Sequence, residues 1–125
     1  MSVAARATTT PLRVALLTHS TNPRGGVVHA LEVGDALHAL GHETTVLAPD
    51  PGQRGLFRPT RCAYAGVPAT QCHGGLPALV RQRIAEYVAW FERADAPQFD
   101  IYHAQDSISA NALAELVRRG RIAGF

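Results

Sequence analysis

Two short segments of this 125-residue chain carry residue types suited to chemistry on a polar ligand. The first is Asn22-Pro23-Arg24-Gly25-Gly26. Two glycines let a ligand come up to the backbone. A helix starting there offers unpaired N–H groups and the positive end of its dipole to a phosphate or carboxylate. Arg24 adds a charge-assisted hydrogen bond to such an anion. The same residues also read as a plain strand-to-helix turn that needs glycine dihedrals. The second segment is His103-Ala104-Gln105-Asp106-Ser107. His103, Gln105 and Asp106 form a donor–acceptor set suited to sugar hydroxyls or proton handling. Equally, Asp106 can cap the next helix while His103 packs in its strand. His19 and His29 flank the first segment, either lining a cleft or serving structure. His38 and His42 surround a helix end, where they meet the C-terminal dipole and carry no function.

The elements around these segments follow from hydrophobic spacing. Leu12–Thr18 is a near-continuous apolar run, the mark of a strand covered on both faces. Val27–Leu40 reads as a helix with Val27, Ala30, Leu31, Leu37 and Leu40 on one side and Glu32, Asp35 and His38 on the other. Gly41 ends it as a left-handed cap, and Gly34 inside it permits close packing on a sheet. Thr44–Ala48 forms the second strand, broken by Pro49-Asp50-Pro51-Gly52. Residues 51–75 are dense in proline and glycine, with short extended pieces expected around Arg61–Tyr64 and Thr70–Cys72.

Leu76–Arg93 is the clearest helix, with Leu76, Leu79, Val80, Ile84, Tyr87, Val88 and Phe91 at helical spacing and Pro77 in its first turn. Tyr87 and Phe91 are expected in the core, and Trp90 half exposed or covered by further chain. Phe99–His103 is a short strand and Ser107–Arg119 an amphipathic helix that ends at Gly120. Arg121–Phe125 reads as the opening of another strand. The alternation predicts an α/β fold: a Rossmann-like, doubly wound, mainly parallel sheet. Both candidate segments leave the carboxyl ends of strands, so they share one sheet edge. The last strand leaves the sheet unfinished. The expectation is therefore a disordered tail over residues 1–11 and an incomplete domain over 12–125.

Composition removes several function classes. Net charge is +2, and the 12 basic residues are all arginine and scattered, which gives no nucleic-acid stripe. Without lysine there is no P-loop lysine, Schiff-base lysine or Ser-x-x-Lys pair. Cys62 and Cys72 make neither a Cys-x-x-Cys motif nor a zinc pattern and read as two reduced thiols, so no metal is expected. No apolar run approaches the ~20 residues that span a bilayer, and the N-terminus lacks a signal-peptide core. A cytoplasmic protein is expected, with peripheral membrane contact left open.

In this order, Arg13-Val-Ala-Leu-Leu-Thr18, Gly25-Gly26 with His29, Gly41-His-Glu-Thr-Thr-Val46 and Phe99-Asp-Ile-Tyr-His-Ala-Gln-Asp106 resemble the N-terminal domain of a family-4 glycosyltransferase of the GT-B architecture. The resemblance implies two Rossmann-like domains facing across a cleft, the N-terminal one on the acceptor side. It implies a retaining transfer from a nucleotide-sugar co-substrate to a small molecule or glycan, with no cofactor and no metal. It places Arg24, Gly25, Gly26, His29 and His19 around the substrate and the donor diphosphate. It places His103, Gln105 and Asp106 as the catalytic corner near the transferred sugar. Many members read His-x-His at that strand end; Gln105 replaces the second histidine and can bond a hydroxyl but cannot carry charge. The donor-binding C-terminal domain lies outside this chain, so the 125-residue piece alone is expected to be inactive or nearly so.

Two other readings compete. A nucleotide- or dinucleotide-binding α/β enzyme would use Asp50, near the end of the second strand, on a ribose, although Gly-x-Gly-x-x-Gly is absent. A non-catalytic, truncated or partner-binding module would expose an apolar face where further strands dock.

Overall fold

The computed structural model describes residues 10–125. In chain order the elements are β1 (Arg13–Leu17), α1 (Gly25–Ala39), β2 (Glu43–Pro51), β3 (Ala63–Ala69), α2 (Leu76–Phe91), β4 (Ile101–Ala104) and α3 (Ser107–Arg118). The four strands form one parallel sheet in the order β3-β2-β1-β4, with Arg13 opposite Glu43, Val14 opposite Ile101 and Thr45 opposite Ala63. The chain steps outward from β1 through β2 to β3, then returns to place β4 on the other side of β1. The order therefore reverses between β1 and β4, and in open α/β sheets a crevice opens at the carboxyl ends of such a pair. The expected Rossmann-like, doubly wound arrangement is present.

Alternation along the central strands divides the core in two. Val14, Leu16 and Val46 pack with Leu31 of α1, while Ala15, Leu17 and Leu47 pack with Tyr87, Val88, Leu113 and Leu116 of α2 and α3. Both faces are covered, which is why β1 reads as an unbroken apolar run. Gly34 lets α1 approach: a Cβ there would stand 2.9 Å from Cys62 Sγ and 3.2 Å from Val46 Cγ2. Gly41 (φ 93°) and Gly120 (φ 70°) close α1 and α3 in the left-handed region. In each case the next residue's N–H reaches back to a carbonyl of the last turn, His42 to Leu37 and Arg121 to Leu116.

Several expectations need correction. β2 does not break at Pro49 but runs to Pro51. Glu43 and Leu47 bond towards β1, through Leu12 O and Thr18 N, so by strand alternation Pro49 and Pro51 turn the same way. Beside Pro51 β1 has ended; beside Pro49 the missing N–H leaves Thr18 O to the Tyr87 hydroxyl, which donates to it at 2.5 Å. The prolines and glycines of residues 51–75 do not prevent a seven-residue strand, β3, because Pro68 sits on an edge strand. Trp90 is only 8% exposed: it meets Phe91 edge-on at 4.9 Å, and the Arg93 guanidinium lies 4.4 Å from its ring centroid. Leu76 is 71% exposed because the first turn of α2 overhangs the sheet. His42 Nδ1 accepts the Leu12 N–H at 3.1 Å, a tie between the chain entering β1 and the end of α1.

Arg121–Phe125 forms no strand; Ile122 turns onto the core beside α2 and α3 while Ala123–Phe125 stay exposed, so this segment does not enter register with β4. Of the expected tail, Thr10 and Pro11 are exposed coil and residues 1–9 lie outside the described residues. Both cysteines are free, Cys62 buried with its thiol pKa pushed up by burial, and Cys72 partly exposed. Among the described residues no helix is long and apolar enough to cross a membrane.

The loop into β3 hangs on one carboxylate. Asp35 of α1 accepts from Thr60 Oγ1 at 2.5 Å, Arg61 N at 2.8 Å and Arg58 Nη1 at 3.4 Å. Partial burial pushes its pKa up, but these hydrogen bonds outweigh burial and hold it below the usual carboxylate value. A depressed folded-state pKa stabilises above the unfolded value, near ~4, and that stability is lost as pH falls through the lower folded value. Asp35→Asn is therefore expected to flatten the fall of stability below about pH 4, measured by urea unfolding across a pH series; an unchanged acid limb refutes this.

Candidate functional site

At the reversal point the ladder continues past the strands. Gln105 N–H donates to Leu17 O at 2.9 Å and Thr18 N–H to Leu47 O at 3.0 Å. This aligns Thr18-His19 after β1 with Gln105-Asp106 after β4. His19 Nδ1 lies 3.2 Å from Asp106 Oδ2. Asp106 is meanwhile the N-cap of α3: its Oδ1 accepts Ser109 N–H at 2.9 Å, and Ser109 Oγ accepts the Asp106 N–H at 3.3 Å. One carboxylate oxygen thus fixes the helix and the other fixes the imidazole. Both sequence readings of Asp106 hold at once. With the proton on Nδ1 facing the carboxylate, His19 Nε2 is the ring's acceptor.

Two buried polar atoms beside this pair have no partner among the described residues, Thr18 Oγ1 and Gln105 Nε2. They fall opposite each other, one position beyond the Leu17–Ala104 pair of the same register. An unpaired buried polar group costs roughly 1–3 kcal/mol, and both atoms are enclosed by protein and do not line the cleft described below.

The loop before α1 borders the same crevice through Asn22 and Arg24; Gly25 and Gly26 do not line it. Arg24 caps α1 without a side-chain bond, and the first intrahelical bond is Val28 N–H to Arg24 O at 2.9 Å. The amides of Gly25, Gly26 and Val27 are thereby unclaimed among the described residues. Neither Gly25 nor Gly26 has positive φ, and a Cβ on either would meet nothing within 4 Å. The turn therefore does not need glycine for conformation or for packing. What the two glycines provide is access to their own two amides at the positive end of a helix; Val27 behind them is fully buried.

Between this loop, the end of β2 and α2 lies a cleft of ≈ 440 Å³ lined by His19, Asn22, Arg24, Pro49, Leu79 and Arg83, among others. His19 and Arg24 are thus brought together. His29 and His103 are exposed and do not line this cleft; His103 is opposite Leu16 and so lies on the face of the sheet that carries α1. Asp50, the acid that a dinucleotide site would use, is taken by its own chain. Its oxygens accept from Arg54 N and Gly55 N, both at 2.9 Å, and from Tyr64 OH at 2.7 Å. At 3% exposure it cannot reach a ribose. Among the described residues no group of three His, Cys, Asp or Glu side chains is gathered to hold a metal ion.

Sequence reasoning missed Arg83 and the polar role of Tyr87. The Tyr87 hydroxyl, fully buried, bonds Thr18 O at 2.5 Å and Leu47 O at 2.9 Å, which ties α2 to the carboxyl ends of β1 and β2. Burial, with the Asp106 charge, drives its pKa well up, so it stays a donor. Helical spacing reports only that Tyr87 faces inward, not what its hydroxyl meets.

The glycosyl transferase 4-like domain matches residues 24–123, and the chain belongs to that family. No curated protein matches the chain.

Tyr87→Phe is expected to cost about 1–3 kcal/mol, because the Thr18 carbonyl loses its partner in a buried setting; a shift in the urea midpoint at constant slope measures it. Asp106→Asn should retain the α3 cap to within a few tenths of a kcal/mol, whereas Asp106→Ala should cost about 1 kcal/mol. Equal losses in the two variants would show that the cap contributes nothing.

Proposed function

We propose that this chain is the acceptor-side domain of a retaining glycosyltransferase that moves a sugar from a nucleotide-sugar donor to an acceptor hydroxyl. The observation that carries the reading is the cleft at the carboxyl edge that gathers Arg24, at the start of α1, with His19, which Asp106 holds at 3.2 Å. In this reading the donor diphosphate lies against Gly25, Gly26 and Arg24. Dipole and guanidinium stabilise its charge as the bond to the anomeric carbon breaks. Family membership supports the sugar chemistry. Gln105, through its carboxamide oxygen, accepts from a hydroxyl of the transferred sugar. His19, oriented by Asp106, takes a hydrogen bond from the acceptor. A second α/β domain holds the nucleotide and closes the crevice, so the 125 residues alone turn over little or no substrate. The diphosphate charge is met without metal or cofactor. The filled carboxylate of Asp50 argues against the dinucleotide alternative.

Gly25→Val tests the assignment, since the added side chain meets no protein atom and fills only the ligand's approach. The expected result is loss of the amide shifts that UDP or GDP induces at Gly26 and Val27, with stability changed by less than about 1 kcal/mol. NAD should induce no such shifts. Nucleotide-induced shifts that survive in Gly25→Val would remove the loop from the mechanism.

A further inference from the structure

The wall of the cleft opposite the glycine loop carries a cation that the transfer reaction as described does not use. Arg83 rises from α2, and its side chain is 12% exposed. Its Nη1 donates to Glu86 Oε1 at 2.7 Å and to Thr70 O at 2.9 Å. Glu86 in turn is held by its other oxygen, which accepts Thr70 N–H at 2.8 Å and Gln82 Nε2 at 3.3 Å. The guanidinium is therefore positioned before any ligand arrives, and the rotamer entropy of a long side chain is already spent. Nε and Nη2 have no partner among the described residues. These two N–H groups form the side-on fork that matches the two oxygens of a carboxylate or phosphate. The titratable residues lining the cleft are His19, Arg24 and Arg83, with no carboxylate among them. Pro49, Leu79 and Ile108 complete the lining with apolar surface.

We propose that Arg83 anchors an anionic group, a phosphate ester or a carboxylate, on the acceptor, so that the acceptor is an acidic molecule and not a neutral sugar. The inference rests on the reading of Gly25, Gly26 and Arg24 as the donor-diphosphate site, because that assignment leaves Arg83, on the facing wall, for the second substrate. The glycine loop supplies a dipole and open amides. Arg83 supplies a fixed fork beside an apolar wall, which suits an acid head on a less polar body.

The test is a nuclear magnetic resonance titration of the full chain with inorganic phosphate, acetate, UDP and methyl glucoside, following the Arg83 Nε–H and the Gly25 and Gly26 amides. Phosphate or acetate is expected to shift Arg83 Nε–H in the presence of saturating UDP. Preference for phosphate assigns a phosphate ester, and preference for acetate assigns a carboxylate. Arg83→Gln should weaken that anion about tenfold and Arg83→Lys by less, as expected for loss of a charge-assisted fork and for its replacement by a point charge. Both variants should leave UDP-induced shifts at Gly25 and Gly26 intact, which also reports that they are folded. Unchanged anion affinity in Arg83→Gln overturns the proposal. So does displacement of the anion by UDP, which would make Arg83 part of the donor site, or a response to methyl glucoside as large as that to phosphate. A failure of the donor-site reading shows separately, as absence of any UDP effect at Gly25 and Gly26.

Discussion

The geometry of the crevice depends on a single buried hydroxyl. Tyr87 reaches from α2 to two backbone carbonyls, Thr18 O and Leu47 O, at the point where β1 and β2 end. Leu47 O also accepts the Thr18 N–H, whereas Thr18 O has no ladder donor, and both residues are fully buried. The tyrosine supplies the missing donor, and in doing so fixes the height of α2 above the sheet edge. Arg83 stands one helical turn before Tyr87 on the same face of α2, so the bond that seals the core also sets a guanidinium over the cleft. Thr18 is held next to Gln105, and His19 then falls within reach of Asp106. A core contact and a functional crevice share one anchor.

The carboxyl edge is electrostatically one-sided. Arg24 at the positive end of α1, Arg83 and His19 all line the same space, while the carboxylates nearest to it are already engaged. Asp106 is divided between a helix cap and an imidazole, and Asp50 is closed inside its own turn. Gly66 makes that closure possible: a Cβ there would stand 3.0 Å from Asp50 Oδ2 and 3.1 Å from Tyr64 OH. An edge with donors exposed and acceptors spent attracts anions.

Glycine serves distinct ends here, and only the structure separates them. Gly41 and Gly120 adopt backbone conformations that L residues resist. Gly34 and Gly66 leave room for neighbouring atoms. Gly25 and Gly26 do neither, a difference invisible in the string of letters. The same applies to proline. Pro49 and Pro51 read as a strand break, yet β1 has stopped beside Pro51, and beside Pro49 the Tyr87 hydroxyl replaces the missing donor to Thr18 O. Whether a proline interrupts a ladder depends on which strand lies beside it.

What the amino-acid sequence alone determined is local and periodic. The apolar run of β1, the helical spacing in α1, α2 and α3, the glycine caps and the Asp106 N-cap are all decided within a few residues, so they were legible. So was the placement of the Asn22–Gly26 and His103–Asp106 segments on one edge, because strand–helix alternation forces it. Tertiary structure decided what depends on partners distant in sequence. It buried Trp90, carried β2 through two prolines, built β3 from a stretch rich in glycine and proline, and kept Arg121–Phe125 out of the sheet. It occupied Asp50, joined His19 to Asp106 across 87 residues, and turned Arg83 into the cleft. The physical reason is common to all of these: spacing reports which way a side chain faces, whereas its hydrogen-bond partner is chosen only when other segments arrive.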